Sequence, residues 1–119
     1  MVWSTAEFAD RVEQCLNATG QYVFVSSYRV YADSPVIAED SPRLLDVVDD
    51  SDYLKTDEYA LAKARCENML FESGKKNWTI VRPAVTYDGT GRFQLAVHES
   101  EVWLCRALND IPVPLPDVI

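Results

Sequence analysis

The chain has 119 residues, the length of one ordinary domain, and it is 48% hydrophobic with 4 Gly and 6 Pro, which excludes a disordered or fibrous protein. Its 11 Lys and Arg against 19 Asp and Glu give a net charge of −8, which disfavours direct binding to nucleic acid. No apolar run approaches the ~18 residues of a membrane helix, and the three distant cysteines are typical of buried reduced thiols, so we expect a cytoplasmic protein without membrane contact.

The first predicted elements are a helix and a buried strand. Ser4 and Glu7 form a capping-box pattern, and apolar residues then recur at helical spacing. This pattern predicts one helix over about residues 5–18, with a left-handed stop at Gly20. Residues 21–27 are a β-branched and aromatic run without alternating polarity, which is typical of a strand buried on both faces.

A long polar stretch separates this strand from the second helix. Residues 28–56 are interrupted by two prolines, so we expect an excursion with at most a short extended or helical piece. Its acidic run, Asp46 to Asp52, is expected to be solvated surface. Thr56 is a candidate cap for the second helix, whose apolar residues share one stripe, and Gly74 is its predicted end.

The second strand is predicted at residues 77–83, where a short apolar run stops at a proline. The order helix, strand, helix, strand predicts an α/β fold with parallel strands and crossover helices. A turn over residues 88–91 follows, and a further helix is predicted from about Phe93 to Leu108.

Three features of this order indicate chemistry. Ser26 and Ser27 lie at the carboxyl end of a predicted strand, where open α/β sheets bind ligands. Tyr59 and Lys63 are four residues apart and share one helix face, and Arg82 ends the next strand. A phenol beside an ammonium can exchange a proton with a substrate hydroxyl or carbonyl, while a serine hydroxyl fixes the substrate oxygen.

Each feature also has a plainer explanation. Tyr59 and Lys63 could be a pair on the helix surface, and Arg82 could pair with one of the many acids. The serines could simply end a strand and begin a turn. His98 is the only histidine in the sequence and has no second histidine or close cysteine, so we expect neither a metal site nor a hydrolase triad.

Taken together, three segments resemble the middle portion of an extended short-chain dehydrogenase/reductase of the NAD-dependent epimerase/dehydratase family. They are residues 23–31 (VFVSSYRVY), 59–63 (YALAK) and 78–87 (WTIVRPAVTY). The resemblance continues into residues 101–104 and 111–114. A Tyr-x-x-x-Lys pair alone is weak evidence, whereas this pair between a serine strand and an Arg-Pro strand is fairly specific.

The resemblance implies a fold and an activity. The fold is α/β, a truncated, partial Rossmann-like three-layer sandwich, with residues 1–92 as the C-terminal part of an NAD(P)-binding domain and residues 93–119 as the start of a substrate-binding lobe. The activity is that of an oxidoreductase or isomerase acting on a nucleotide sugar with NAD or NADP. The family's Gly-rich phosphate-binding loop has no counterpart in the sequence, so we expect no turnover from the isolated chain.

The resemblance also implies catalytic roles. Tyr59 is the acid/base, Lys63 binds the tyrosine and the nicotinamide ribose, and Ser27 binds the substrate hydroxyl. We prefer Ser27 to Ser26 because it stands four residues before Tyr31, as the family's Ser or Thr precedes a Val-Tyr.

The cofactor-binding residues implied by the resemblance are Tyr59 and Lys63 together with the backbone at Pro83, Val85 and Thr86, beside the nicotinamide. The alternative function is a non-catalytic, truncated binding or oligomerisation module of the same fold. A parallel sheet without its neighbouring strands exposes unpaired backbone groups and apolar surface, so we expect a homo-oligomer. An RNA-associated member of the superfamily is disfavoured by the acidic balance.

Overall fold

The structure, a computed structural model, describes residues 4–84, 94–95, 98–99 and 102–112. The chain forms two compact units, Met1–Ala84 and Val85–Ile119. The elements in chain order are α1 (Thr5–Ala9), α2 (Val12–Ala18), β1 (Tyr22–Val25), a 3₁₀ turn (Tyr28–Val30), α3 (Leu44–Val47), α4 (Ser51–Leu54), α5 (Tyr59–Glu72), β2 (Trp78–Val81), β3 (Gln94–Leu95), β4 (His98–Glu99) and α6 (Val102–Leu108).

Two short helices replace the single N-terminal helix predicted from the sequence. Ser4 and Glu7 form the predicted capping box, in which each side chain accepts the backbone N–H of the other. The hydrogen-bond pattern changes to the 3₁₀ type after α1, because the N–H of Arg11 donates to the carbonyl of Phe8, three residues before it. Arg11 itself, with φ −123°, falls outside the helical range. The prediction of one continuous helix is therefore wrong.

The helix ends differ in part from those predicted. Helix α5 ends at Glu72 with Ser73 as its cap, and Gly74 follows with a φ of 68°, the left-handed conformation that glycine adopts freely, so the stop predicted at Gly74 is confirmed. The left-handed stop predicted at Gly20 is wrong, because α2 ends in extended backbone at Thr19. The cap predicted at Thr56 is also wrong. Glu58 caps α5 instead, its carboxylate accepting the N–H of Ala60 at 2.7 Å.

The strands β1 and β2 pair in parallel, as predicted, with Val25 opposite Val81 at the end of the ladder. The pairing continues one residue further, because the Ser26 N–H donates to the Val81 carbonyl at 2.8 Å. Helix α5 lies in the connection between the two strands, which is the kind of crossover that parallel strands need.

One face of this sheet carries the core of the first unit. The rings of Phe8 and Phe24 are 4.9 Å apart, so α1 packs directly on β1. The buried core residues are Phe8, Leu16, Phe24, Cys66 and Leu70, and Val12, Tyr22, Met69, Trp78 and Ile80 pack against them. Alternating residues of each strand thus face helices α1, α2 and α5.

The other face of the sheet is exposed in the described part of the first unit. Val23 is 53% exposed, Val25 57% and Val81 44%. The prediction that β1 is buried on both faces is therefore wrong. An apolar run without alternation indicates that both faces are apolar, whereas the helices described in this unit cover only one of them.

The excursion over residues 28–56 contains more structure than predicted. It holds the 3₁₀ turn, an isolated antiparallel bridge between Tyr31 and Arg43, and the one-turn helices α3 and α4. The aspartates of the acidic run are exposed, which confirms the predicted solvated surface: Asp46, Asp49, Asp50 and Asp52.

The described residues of the second unit start with two short strands. Strand β3 pairs antiparallel with β4, and α6 follows. The prediction of a helix from about Phe93 to Leu108 is therefore wrong at residues 94–95 and 98–99 and confirmed at residues 102–108, because a short apolar run favours a strand and a helix equally by periodicity. The predicted turn over residues 88–91 lies outside the described residues.

The cysteines are free and lie in helices, as predicted. Only Cys66 is fully buried; Cys15 is half-buried and Cys105 is exposed, so the prediction of buried thiols holds for one of the three. Burial raises the pKa of the Cys66 thiol to about 11, which keeps it protonated and unreactive near neutral pH. No helix in the described ranges is long and apolar enough to cross a membrane.

Candidate functional site

The carboxyl ends of β1 and β2 meet at one edge of the sheet. Ser26 and Ser27 follow β1, and Arg82 and Pro83 follow β2. The two ends are joined where the N–H of Tyr28 donates to the carbonyl of Pro83 at 3.0 Å. The structure therefore brings together the two strand ends that the sequence singled out, at the edge where open α/β sheets bind ligands.

The ammonium of Lys63 lies against the end of β1. Its Nζ donates to the Val25 carbonyl at 2.8 Å and lies 5.0 Å from the centre of the Phe24 ring. The residue is only 7% exposed, so the alternative of a pair on the helix surface is wrong for this lysine. The carbonyl and the aromatic face replace part of the hydration that a buried ammonium loses.

Tyr59 lies beside Lys63, as their four-residue spacing predicts. The Lys63 Nζ is 5.8 Å from the centre of the Tyr59 ring, and the guanidinium carbon of Arg29 is 5.5 Å from the same centre. The tyrosine is half-buried at the first turn of α5. Two cations from different elements therefore flank one phenol ring.

The carboxylate of Glu58 binds Arg29, one of the two cations near the Tyr59 ring. It forms an ion pair with Arg29 at 3.1 Å and accepts the hydroxyl of Tyr53 at 3.0 Å, besides capping α5. Burial alone would raise the pKa of this carboxyl, but the hydrogen bonds from the Ala60 N–H and Tyr53 and the charge of Arg29 lower it below its usual value. Glu58 thus stays ionised and holds Arg29 near Tyr59.

The two serines after β1 have different surroundings. The Ser27 Oγ accepts the N–H of Arg29 at 3.3 Å and caps the 3₁₀ turn, which is the turn-forming role given above as the plainer explanation. The Ser26 side chain is buried, and its Oγ has no hydrogen-bond partner among the described residues. The Arg29 N–H occupies an acceptor position of the Ser27 hydroxyl, so this hydrogen bond does not use the hydroxyl's own hydrogen.

A buried charge cluster, which the sequence analysis missed, lies on the same helix. Glu67 is fully buried, and its carboxylate binds Arg82 through Nε at 2.9 Å and through the second guanidinium nitrogen at 2.8 Å. Arg43 reaches the same carboxylate at 3.3 Å. Glu67 stands four residues after Lys63 on the helix, but its partners lie 24 and 15 positions away in the chain, so the sequence shows no local signal for this cluster.

The predicted pairing of Arg82 with an acid is confirmed by this cluster. Hydrogen bonding to Glu67 raises the pKa of Arg82 further above its already high value. The guanidinium also stacks on Tyr31, with 4.6 Å from its central carbon to the ring centre, and donates to the Glu39 carbonyl. The end of β2, helix α5 and the excursion are therefore tied together through one carboxylate.

Of the three backbone positions that the resemblance assigns to the cofactor, only Pro83 lies within the described residues. It is half-buried at the end of β2. Val85 and Thr86 lie outside the described residues.

Among those described, no cluster of three or more His, Cys, Asp or Glu side chains is arranged to hold a metal ion. Comparisons with protein-family models, curated protein sequences and solved structures gave no match.

Proposed function

We propose that this chain carries the catalytic centre of an NAD(P)-dependent oxidoreductase of the epimerase/dehydratase type that acts on a nucleotide sugar. The observation that carries the proposal is the buried ammonium of Lys63, bound to the carbonyl at the end of β1 with the Tyr59 ring beside it. Burying a lysine costs free energy that an apolar side chain would not, so a lysine at a sheet edge favours a functional role.

The groups at this edge fit a nicotinamide nucleotide. The ribose of such a nucleotide offers hydroxyl groups, and the nicotinamide offers an amide, so its partners must donate and accept hydrogen bonds. The described edge supplies an ammonium, a phenol and two serine hydroxyls, from Lys63, Tyr59, Ser26 and Ser27. In a dehydrogenase of this kind, residues 1–92, which include these four, would form part of the nucleotide-binding domain. Residues 93–119 would form the start of the substrate lobe.

The proposed roles follow from the chemistry of each group. Bound NAD(P), held by Lys63 and Tyr59, would supply reversible hydride transfer at the substrate carbon. Tyr59, as the phenolate, takes the proton of the substrate hydroxyl during oxidation and gives it back to the carbonyl oxygen during reduction. Lys63 stabilises the phenolate and orients the ribose. The Ser27 hydroxyl donates to the substrate oxygen and fixes its distance from the phenol.

The proposal predicts that the chain binds NADH saturably and that Tyr59→Phe weakens this binding about three- to tenfold. The variant removes one hydroxyl and leaves the ring, so it costs one hydrogen bond. The measurement is a ligand-observed NMR titration with NADH, which detects weak binding.

Tyr22→Phe is the matched control, because it makes the same change in a half-buried tyrosine at the opposite end of β1. We expect its affinity for NADH to equal that of the unaltered chain. Absence of saturable NADH binding, or equal losses in the two variants, would count against the proposed function.

The exposed face of the sheet favours a second candidate function, assembly with a second copy of this chain. Val23, Val25 and Val81 form an apolar surface in the first unit, and β1 and β2 have no further strand beside them in the described residues. Exposed apolar patches next to unpaired strand edges promote association.

Assembly through this face predicts that Val23→Lys converts an oligomer to a monomer in sedimentation-velocity experiments. A charge on the face opposes its burial against a second copy. Val36→Lys is the control, because Val36 is 78% exposed and belongs to the excursion and not to either strand. A compact monomer at high concentration for the unaltered chain would contradict assembly.

A further inference from the structure

The hydroxyl of Ser26 is a polar group that the fold buries without using. The residue is 2% exposed, and in the described part of the chain its Oγ has no hydrogen-bond partner. Its backbone N–H extends the sheet by donating to the Val81 carbonyl at 2.8 Å. A buried hydroxyl without a partner has lost its hydrogen bonds to water and gained none, so alanine would be the more favourable residue for stability alone.

The position of Ser26 relates this hydroxyl to the lysine. Side chains alternate between the two faces of a strand, so Ser26 continues the row of Phe24 on the face covered by helices. Lys63 approaches the same strand end from α5, with its Nζ near the Phe24 ring and on the Val25 carbonyl. The unpartnered hydroxyl and the buried ammonium therefore lie on one side of the sheet, at one end of β1.

The neighbouring serine does not share this property. The Ser27 Oγ is engaged by the Arg29 N–H and closes the 3₁₀ turn, so its burial is explained by the local fold. Only Ser26 has a buried hydroxyl for which no structural role is found in the described residues.

We infer that Ser26 is a ligand-binding residue whose hydroxyl pairs with a sugar hydroxyl of the bound nicotinamide nucleotide, next to Lys63. This inference rests on the proposed function. A serine hydroxyl both donates and accepts, so its best partner is a group that does the same, and a ribose hydroxyl is such a group. The hydrogen bond that Ser26 lacks in the free protein forms when the ligand enters.

The test is Ser26→Ala, measured in the full chain by thermal unfolding and by NMR titration with NADH. We expect an unfolding midpoint equal to or higher than that of the unaltered chain, because no internal hydrogen bond is lost. We expect the dissociation constant for NADH to rise about tenfold, the effect of one buried hydrogen bond. Ser34→Ala is the control, since it removes the same hydroxyl at an exposed position in the excursion and should leave the affinity unchanged.

The outcomes separate this inference from the proposal on which it rests. Saturable NADH binding that Ser26→Ala weakens without lowering the midpoint supports both. Saturable binding that Ser26→Ala leaves unchanged overturns the role of Ser26 and leaves the proposed function standing. A clear fall in the midpoint shows that the hydroxyl is structural and overturns the inference. Absence of NADH binding in the unaltered chain overturns both.

Discussion

Glu67→Ala is expected to lower the free energy of unfolding by about 3–5 kcal/mol, the range for removing one partner of a buried ion pair. The carboxylate is fully buried and binds Arg82 through two hydrogen bonds and Arg43 through a third. Its removal leaves two guanidinium groups facing each other across a cavity. Both arginines are themselves largely buried, with side chains 13% and 17% exposed, so water compensates them only in part.

The structural effect of Glu67→Ala should be confined to the segments that contact the Glu67 carboxylate. Arg43 and Arg82 reach Glu67 from the excursion and from the end of β2, so the variant removes the carboxylate that both share, while Arg43 keeps its hydrogen bond to the Ala64 carbonyl of α5. Arg43 keeps its two hydrogen bonds to Asp46, both at 2.9 Å, so the larger loss of compensating charge falls on Arg82. Urea denaturation measures the change in stability, and hydrogen exchange over residues 31–43 measures the local structural effect.

Glu72→Ala is the matched control, because Glu72 is an exposed glutamate at the end of the same helix. We expect this variant to change the free energy of unfolding by less than about 0.5 kcal/mol, as is usual for surface substitutions. Equal small effects of the two variants would show that the cluster around Glu67 contributes little to stability.

Lys63→Met is expected to weaken NADH binding about ten- to a hundredfold while changing stability little. A hydrogen bond from a charged group to a ligand contributes about 1.5–3 kcal/mol, which corresponds to this loss of affinity. Methionine has nearly the same length and fills the same space without a charge. The bond to the Val25 carbonyl is lost, but so is the cost of burying an ammonium, and the two effects oppose each other.

This variant distinguishes a functional lysine from a structural one. Lys55→Met is the control, because the Lys55 side chain is 74% exposed and pairs with the exposed Asp52. NADH affinity should be unaltered in the control. If Lys63→Met kept full affinity, or if its loss of stability matched that of Glu67→Ala, Lys63 would be a structural residue and the proposed site would lose its central cation.

Local patterns in the sequence predicted the frame of the site well. The capping box at Ser4, the stop at Gly74 and the proximity of Tyr59 to Lys63 depend on residues within four positions of each other. The parallel pairing of β1 and β2 followed from a helix lying between two apolar runs. Each of these features depends on the conformational preferences of neighbouring residues, which can be inferred from one sequence.

The features that the sequence did not predict depend on contacts between distant segments. From the sequence alone, a glutamate in a helix such as Glu67 is expected to be solvent-exposed. The fold buries it by placing Arg43, 24 positions away, and Arg82, 15 positions away, against its carboxylate. The exposure of Val23 depends on which helices cover the sheet, and an apolar pattern does not specify them. The same limit applies to Ser26, whose hydroxyl lacks the local turn that engages the hydroxyl of Ser27.

The central claim is that the end of β1 and the first turns of α5 form a nicotinamide-nucleotide site. The most direct test is to titrate the unaltered chain with NADH and to monitor its backbone amide chemical shifts by NMR. We predict saturable shifts concentrated in two segments, residues 25–29 and 59–63. Shifts that do not saturate, or that fall mainly elsewhere in the chain, would contradict the claim.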